Sequence, residues 1–222
     1  MQNTSMFDTL LELPLFRGVS REKMSETVGV SKFHFLKLAS GKELVRCGIQ
    51  SEHLLFVLSG SIGLTRTSSD GTVTVSQTIT GPDVIGPEYL FGRVNYYPFT
   101  ATAKTDASIL EIEKRDFLNI LGLDQIFLLN YLNYLSMCSH RTDMLLNISG
   151  EDGERRLAFF VLSLTQPGTQ DIEIRWEGQR LADISGMCEE KLQEVLKSLK
   201  HKRLISYGEG FIKVANRRDL DI

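Results

Sequence analysis

The spacing of apolar side chains along the chain changes its period twice. Between about residues 32 and 113, apolar and polar positions alternate in short runs that are rich in Val, Ile, Thr and Phe. The runs are HLLFVL (53–58), SIGLTRT (61–67), TVTVSQTI (72–79), FTATAKT (99–105) and SILEIE (108–113), with turn residues at 59–60, 68–71 and 81–83. Several short strands at this spacing predict an antiparallel sandwich or barrel rather than alternating strands and helices.

Helical spacing flanks the strand-rich region on both sides. Residues 5–28 predict helical pieces around the bend Pro-Leu-Phe-Arg-Gly, with one helix starting at Ser20. Further helices are predicted at 114–121, about 124–148 and 153–165, and a strand at 172–176. Two short helices over 179–205 and a hairpin of LISY (204–207) and FIKVA (211–215) follow. This order of elements predicts a winged helix-turn-helix.

The long predicted helix carries two apolar stripes. One consists of Leu128, Leu132, Leu135, Ser139, Thr142 and Leu146, and the other of Phe127, Tyr131, Tyr134, Cys138 and Leu145. A helix with more than one apolar face needs partners on more than one side. We expect one face to pack on the barrel and the other to pair with a second copy of the chain. The candidate dimer residues are Leu128, Leu132, Leu135, Thr142 and Leu146; the alternative is that both faces are buried within a monomer.

The helix-turn-helix prediction depends on the segment QRLADISGMCEEKLQEVLKSLKHKRLI, residues 179–205. Ala182 is small where two helices have to cross closely, and Gly186 stands where the chain has to turn sharply. The second helix then carries a core stripe at i, i+3, i+4 and i+7. The stripe consists of Leu192, Val195, Leu196 and Leu199.

The outward positions of this second helix carry both signs of charge. They hold Glu189, Glu190, Gln193, Glu194, Lys197 and Lys200. Acids in the first turn and bases in the last turn suit the helix macrodipole, which explains these residues without a ligand. The alternative is DNA, because a glutamate near the start of the helix can accept a hydrogen bond from cytosine N4 while lysines contact phosphates. Both interpretations stay open at this point.

Composition and charge argue against several other classes of protein and show where positive charge is concentrated. The formal net charge is −3, yet residues 197–218 hold seven Lys and Arg against Glu209 alone, which concentrates positive charge there. The three cysteines and four histidines are scattered, and no nucleophile–base pair stands out, so we predict neither a metal site nor an enzyme and assign no cofactor. The chain has no bilayer-length apolar run and no signal-peptide pattern, so we expect a cytoplasmic protein without membrane contact.

Several segments resemble, in their order and spacing, the CRP/FNR family of bacterial transcription regulators. They are PLFRGVSREKM (14–24), SGKELVRCG…SEHLLFVLSGSIGLT (40–65), DGTVTVSQTITGPDVIG (70–86), ATAKTDASILEIEKRDF (101–117), ERRLAFFVLSL (154–164) and QRLADISGM…LQEVLKSLKHKRLI (179–205). The resemblance implies an α+β chain with an antiparallel jelly-roll sensor domain at 1–117, a dimerisation helix at 118–149 and a winged helix-turn-helix DNA-binding domain at 150–222. It also implies a homodimer whose second helix-turn-helix helix enters the major groove.

A first departure from the family pattern changes the expected effector. Members that bind cyclic nucleotides carry a Gly-Glu pair followed by an Arg-Ser pair, but here Gly86 precedes Pro87-Glu88, and Tyr97-Pro98 replaces the second pair. A cyclic phosphate would meet a phenol and a proline, so we expect no tight cAMP binding. The candidate pocket residues are Gly86, Glu88, Tyr89, Tyr97 and Phe99. Their aromatic rings either line a pocket for a more apolar effector or fill the barrel.

A second departure changes the expected operator. The family's Ser-Arg-Glu-Thr-Val run appears as Cys188-Glu189-Glu190-Lys191-Leu192, so Glu190 keeps the family's base-reading glutamate. Glu189 and Glu194, however, stand at two arginine positions of the family. Each reversal of charge removes an expected contact and adds repulsion. We therefore expect weaker DNA binding or a different operator.

The leading hypothesis is a homodimeric DNA-binding transcription regulator, without enzyme activity, that responds to an unidentified effector. The candidate DNA-binding residues are Gln179, Glu190, Lys191, Gln193, Glu194, Lys197, Lys200 and Lys213. The expected partners are double-stranded DNA, a second copy of the chain, RNA polymerase and a small-molecule effector. The alternative hypothesis is a ligand-sensing or protein-interaction module that keeps the winged fold without DNA affinity.

Overall fold

The structure is a computed structural model that describes the backbone of residues 6–147 and 152–220 and the side chains of 7–139 and 152–220. It divides into two compact units, residues up to 62 with 79–138, and residues 63–78 with 139–222. The predicted α+β fold, a jelly roll followed by a helical C-terminal domain, is confirmed. The predicted domain limits stay predictions, and the limit between 149 and 150 lies outside the described residues.

The helices and strands follow the order that the sequence predicts. The helices are α1 (Met6–Glu12), α2 (Arg21–Val30), α3 (Lys114–Leu123), α4 (Gln125–Asn147), α5 (Gly153–Leu164), α6 (Arg180–Ser185) and α7 (Glu189–His201). The strands are β1 (Phe33–Leu38), β2 (Glu43–Val45), β3 (His53–Ser59), β4 (Ser61–Thr67), β5 (Val73–Thr80), β6 (Asp83–Ile85), β7 (Thr100–Ala103), β8 (Ala107–Glu113), β9 (Gln170–Trp176), β10 (Ser206–Gly208) and β11 (Phe211–Asn216). Among the described residues, no helix combines the length and the apolar character needed to cross a bilayer.

The first unit packs helices against an antiparallel sheet with the strand order β1-β8-β3-β6, and it also contains the antiparallel pair of β2 and β7. Phe16 lies near the centre of its core, with its ring centroid 5.2 Å from that of Phe56 and 5.7 Å from that of Phe127. The predicted helix start at Ser20 is confirmed, because its hydroxyl accepts a hydrogen bond from Lys23 N at 3.1 Å.

The second unit contains the helix-turn-helix and a sheet with the strand order β10-β11-β9-β5-β4. Gly186 ends α6 with φ of 65°, the left-handed conformation that the sequence predicts for this turn. The predicted stripe of α7 is buried in a core with Leu157, Ile174 and Leu181. The hairpin of residues 63–78, which the sequence analysis places in the sensor domain, belongs to this second unit.

Asp83, on β6, gives a pH-dependent stability prediction. Burial raises the pKa of its carboxyl to about 6, although Val84 N donates to it and the charge of Arg17 favours the ionised form. Because the folded state binds this proton more tightly than the unfolded chain, stability falls as the pH rises from about 4 to about 6. Asp83→Asn keeps an acceptor for Val84 N, so we expect it to stabilise the protein above pH 7 by at most about 3 kcal/mol.

Urea unfolding midpoints at pH 4 and pH 8 measure this effect. The variant should unfold at higher urea than the wild type at pH 8, and the difference should vanish toward pH 4. Glu12→Gln, which neutralises an exposed carboxylate of the same unit, is the matched control. Equal midpoints at pH 8 would contradict the prediction.

Candidate nucleic-acid interface and effector pocket

The buried stripe of α7 determines which of its side chains meet solvent. Leu192, Val195, Leu196 and Leu199 are 4% exposed or less. By helical spacing, the opposite face carries Glu190, Glu194, Lys197 and His201, and all four are exposed. The structure therefore brings three predicted DNA-binding residues onto one face. His201 was missed in the sequence analysis, although it follows Lys197 by one helical turn.

Two of the predicted DNA-binding lysines, Lys191 and Lys213, pair with acids of their own chain. Lys213 Nζ lies 3.1 Å from Glu173 Oε2, and Lys191 Nζ lies 3.4 Å from Glu194 Oε2. Lys202 likewise pairs with Glu154. These ion pairs reduce the positive charge that the wing and the helix present to a nucleic acid.

The acids in two of these pairs are ionised at neutral pH. Hydrogen bonds from Lys202 and Ser198 hold the pKa of Glu154 below its usual value. Burial opposes ionisation of Glu173, but hydrogen bonds and charge from Lys213 and Arg175 hold its pKa below the usual value as well.

Lys197 and Lys200 differ from the other lysines of this surface. Within the part of the chain that the structure describes, neither forms an ion pair with a carboxylate, and both side chains are exposed. Lys200 Nζ lies 5.2 Å from the ring centroid of Tyr207, a cation–π contact that leaves its outer side in solvent. These two lysines are the cations of α7 most available to phosphates.

The two predicted DNA-binding glutamines, Gln193 and Gln179, differ in exposure. Gln193 is half-buried and donates to Glu189 Oε1 at 2.9 Å, so it braces its own helix. Gln179 is the exposed N-cap residue of α6. Its neighbour Arg180, which the sequence analysis missed, pairs with Asp70 at 2.9 Å. Arg217, near the end of the wing, donates to Leu162 O at 3.1 Å and so supports the fold.

Helix α4 shows the two faces that its sequence predicts. Phe127, Tyr131 and Tyr134 are buried in the core of the first unit. Leu128 and Leu132, on the predicted dimer stripe, are 40% and 48% exposed. Leu135 differs from them, because it is half-buried and packs against the core of its own unit. The side chains of Thr142 and Leu146 lie outside the described residues.

The predicted effector residues form a compact aromatic cluster in the first unit. The ring centroid of Phe99 lies 5.9 Å from that of Tyr89 and 5.6 Å from that of Tyr97. A Cβ atom at Gly86 would lie only 2.9 Å from the ring of Tyr89 and 3.0 Å from the ring of Phe99. The rings thus pack directly on the Gly86 backbone, as the barrel-filling alternative expects.

Tyr97, which stands at the family's arginine position, is an internal packing residue. It is 3% exposed, and its hydroxyl donates to His53 O at 2.9 Å. Burial raises the pKa of this phenol, so it stays neutral. Tyr131 closes the other side of the Gly86 turn by donating to Pro87 O at 3.0 Å, while Glu88 nearby is half-buried.

A cavity of about 340 Å³ in the first unit has Tyr97 in its wall. Its charged lining residues are Glu43, Glu52, Glu111 and Arg46. Arg46 already pairs with Glu43 at 3.0 Å, so the cavity presents a surplus of negative charge. Such a lining disfavours a phosphate ligand. Within the described residues, no group of three or more His, Cys, Asp or Glu is placed to hold a metal ion.

Comparisons with known proteins agree with this geometry. Residues 35–124 match the family model of the cyclic nucleotide-binding domain. The cAMP-activated global transcriptional regulator CRP of Pasteurella multocida is 24% identical over 197 residues, which cover 85% of this chain and 93% of the relative. The protein of the same name from Salmonella typhimurium is also 24% identical, with the same coverage. The chain is therefore similar to these CRP regulators over most of its length, and residues 35–124 match a cyclic nucleotide-binding domain.

Two solved structures share the fold of this chain. The catabolite activator protein of Thermus thermophilus has a TM-score of 0.53 at 22% identity, over 94% of this chain and 96% of that one. The sensor domain of the regulator DNR from Pseudomonas aeruginosa has a TM-score of 0.53 at 18% identity, over 65% of this chain and 93% of that one. The first likeness extends over nearly the whole chain and the second over the sensor part, and both show a shared fold.

The aromatic cluster predicts that this protein does not bind cAMP tightly. The rings on Gly86 occupy space, and the position of Tyr97 offers no cation for a cyclic phosphate. Isothermal titration of the purified protein with cAMP should give no binding in the micromolar range. The CRP of Pasteurella multocida, which by its name is activated by cAMP, is the positive control. A micromolar affinity would contradict the prediction.

Proposed function

We propose that this protein is a homodimeric, sequence-specific DNA-binding transcription regulator whose effector is not a cyclic nucleotide. The observation that carries the proposal is the outer face of α7, which presents Glu190 together with the exposed cation Lys197 and the exposed imidazole of His201. In a helix-turn-helix protein this face enters the major groove. A DNA-binding regulator acts without enzyme chemistry, and a cytoplasmic location follows from that role. RNA polymerase stays an expected partner to which no residue is assigned.

Each part of this face has a separate task in the proposed complex. Glu190, in the first turn of α7, accepts a hydrogen bond from cytosine N4 and so selects a base. Lys197 and Lys200, toward the end of the helix, contact phosphates and supply affinity that is independent of sequence. Gln179, at the start of α6, donates to the DNA backbone and fixes the register of the module.

The exposed leucines of α4 support the dimer. Leu128, Leu129, Leu132 and Met137 are each at least 40% exposed on one helix. Exposed apolar side chains grouped on one helix are typical of an interaction site. A second copy that pairs along the same helix buries the stripe symmetrically, and it also presents two winged units to the DNA.

A second candidate function rests on the ion pairs described above. Lys191, Lys202 and Lys213 are each engaged by a carboxylate of the same chain. A module that has lost DNA affinity would neutralise its basic surface in this way. The salt dependence of binding separates the two candidates, because only a DNA reader releases counterions from DNA.

Lys197→Glu tests the phosphate contacts. In fluorescence anisotropy on promoter DNA from the source genome, log affinity should fall linearly with log salt concentration. The variant should reduce the magnitude of that slope by about 2, since each subunit of the dimer loses one phosphate contact worth about 0.9. Glu190→Ala should instead relax the choice of base with nearly the same slope.

Lys32→Glu makes the same change of charge at an exposed position of the first unit and is the matched control. It should leave the slope close to that of the wild type. Absence of binding by the wild type at low salt would favour the second candidate. An unchanged slope for Lys197→Glu would remove Lys197 from the interface.

Leu132→Glu tests the dimer. A charge on the exposed stripe of α4 should dissociate the dimer into monomers, because the buried carboxylates of the two copies would face each other without partners. Sedimentation velocity measures the change. Leu118→Glu, on α3, alters another leucine of similar exposure (52% against 48%) and should leave the dimer intact. A wild-type monomer, or a dimer that survives Leu132→Glu, would contradict this arrangement.

A further inference from the structure

The hairpin of residues 63–78 is built into the sheet of the winged unit. Strand β5 pairs antiparallel with β9, in a register that places Val73 opposite Trp176 and Val75 opposite Ile174. The other edge of β9 pairs with β11, so the hairpin covers the edge of β9 that the wing itself leaves open. Covering an open strand edge satisfies backbone groups that would otherwise be free to pair elsewhere.

Side chains of the hairpin also complete the core of this unit. Val73 and Val75 are 7% and 5% exposed and pack in the same cluster as the buried residues of α6 and α7. The buried amide of Gln77 accepts a hydrogen bond from Gln166 N at 2.8 Å. The hairpin is therefore docked by apolar contacts and by specific hydrogen bonds.

The tip of the hairpin holds one carboxylate in a fixed orientation. Asp70 Oδ1 accepts from Ser68 Oγ at 2.6 Å, from Thr72 Oγ1 at 2.8 Å and from Thr72 N at 3.1 Å. These hydrogen bonds hold the pKa of Asp70 well below its usual value. Because Oδ1 is committed to the turn, Oδ2 is directed to Arg180, whose guanidinium lies 2.9 Å away.

Arg180 occupies a position where a cation is useful to a DNA reader. It is the first residue of α6, the first helix of the helix-turn-helix, and it follows the predicted phosphate contact Gln179. The first helix of such a motif crosses the DNA backbone. A guanidinium binds a phosphate and a carboxylate through the same donors, so Asp70 and DNA compete for it.

We propose that the 63–78 hairpin is an inhibitory clamp on DNA binding: docked on β9, it engages Arg180 with the Asp70 carboxylate and withholds that cation from DNA. The inference rests on the DNA-binding function proposed above. Strands β4 and β5 both continue into the first unit, at residues 61–62 and 79–80. A displacement of either strand would therefore act on the clamp.

Asp70→Asn in the full chain tests the clamp. The amide oxygen still accepts from Ser68 and Thr72, but the charge that engages Arg180 is gone. We expect affinity for promoter DNA at about 0.1 M salt to rise at least about tenfold, and the salt slope to steepen by about 2 in the dimer. Arg180→Gln breaks the same pair but removes the cation, so it should give neither gain. The double variant should behave like Arg180→Gln.

Asp171→Asn is the matched control, because it removes one exposed carboxylate of the same unit. It should not reproduce the steeper slope. If Asp70→Asn leaves affinity and slope at wild-type values, or if the gain persists in the double variant, the clamp is wrong.

A cross-strand disulfide tests the clamp independently of charge. Thr74 and Arg175 are opposite each other in the β5–β9 register, so Thr74→Cys with Arg175→Cys can lock the hairpin in place. Cys47, Cys138 and Cys188 are replaced by serine in this variant so that only the new pair forms. The oxidised protein should bind DNA at least about tenfold more weakly than the same protein after reduction, since DNA selects the released state. Equal affinities would overturn the proposal.

The outcomes separate the two proposals. If the wild type binds DNA but neither Asp70→Asn nor reduction of the disulfide strengthens binding, only the clamp fails. If no form of the protein binds DNA at low salt, the proposed function and the clamp fail together.

Discussion

Cations on the winged unit have two sets of anions available, the carboxylates of their own chain and the phosphates of DNA. An exposed ion pair within a protein contributes about 0–1 kcal/mol. One phosphate contact at about 0.1 M salt contributes about 1 kcal/mol through counterion release. Because these two free energies are similar, neither the carboxylates nor the phosphates bind the cations much more strongly. In the proposed complex with DNA, Lys197 and Lys200 would give up no carboxylate partner, whereas Lys202 and Lys213 would first lose Glu154 and Glu173.

In the sensor unit, a neutral side chain stands where the family pattern predicts a charged one. Where the resemblance to the CRP/FNR family predicts an arginine, this chain buries Tyr97 and satisfies its hydroxyl with the carbonyl of His53. A guanidinium in that buried place would need a counterion to offset its desolvation. An aromatic ring that packs on its neighbours avoids this cost. The consequence is a barrel stabilised by its own side chains and without a phosphate site at Tyr97.

The two faces of α7 separate fold from recognition. The buried stripe orients the helix through contacts that do not involve the outer residues, so the outer face can change its charges without loss of the fold. Glu189 and Glu194 replace arginines of the family pattern while Leu192, Val195, Leu196 and Leu199 remain buried. The fold of the module and the DNA sequence that it prefers are therefore independent properties. The winged fold of this chain is compatible with a different operator.

The periodicity of the sequence predicts structural features that depend on residues close together in the chain. It does not predict contacts between residues that are far apart in sequence. The strand β4, the stripe of α7 and the left-handed turn at Gly186 follow from local spacing, and all three were predicted. The pairing of Lys202 with Glu154 and of Arg180 with Asp70 joins residues far apart in sequence, and no local pattern signals either pair. The docking of β5 on β9 has the same origin, because an alternating strand shows which face is apolar but not which sheet it joins. Residues 63–78 alternate just as the rest of the barrel does, so their place in the winged unit follows only from the three-dimensional arrangement.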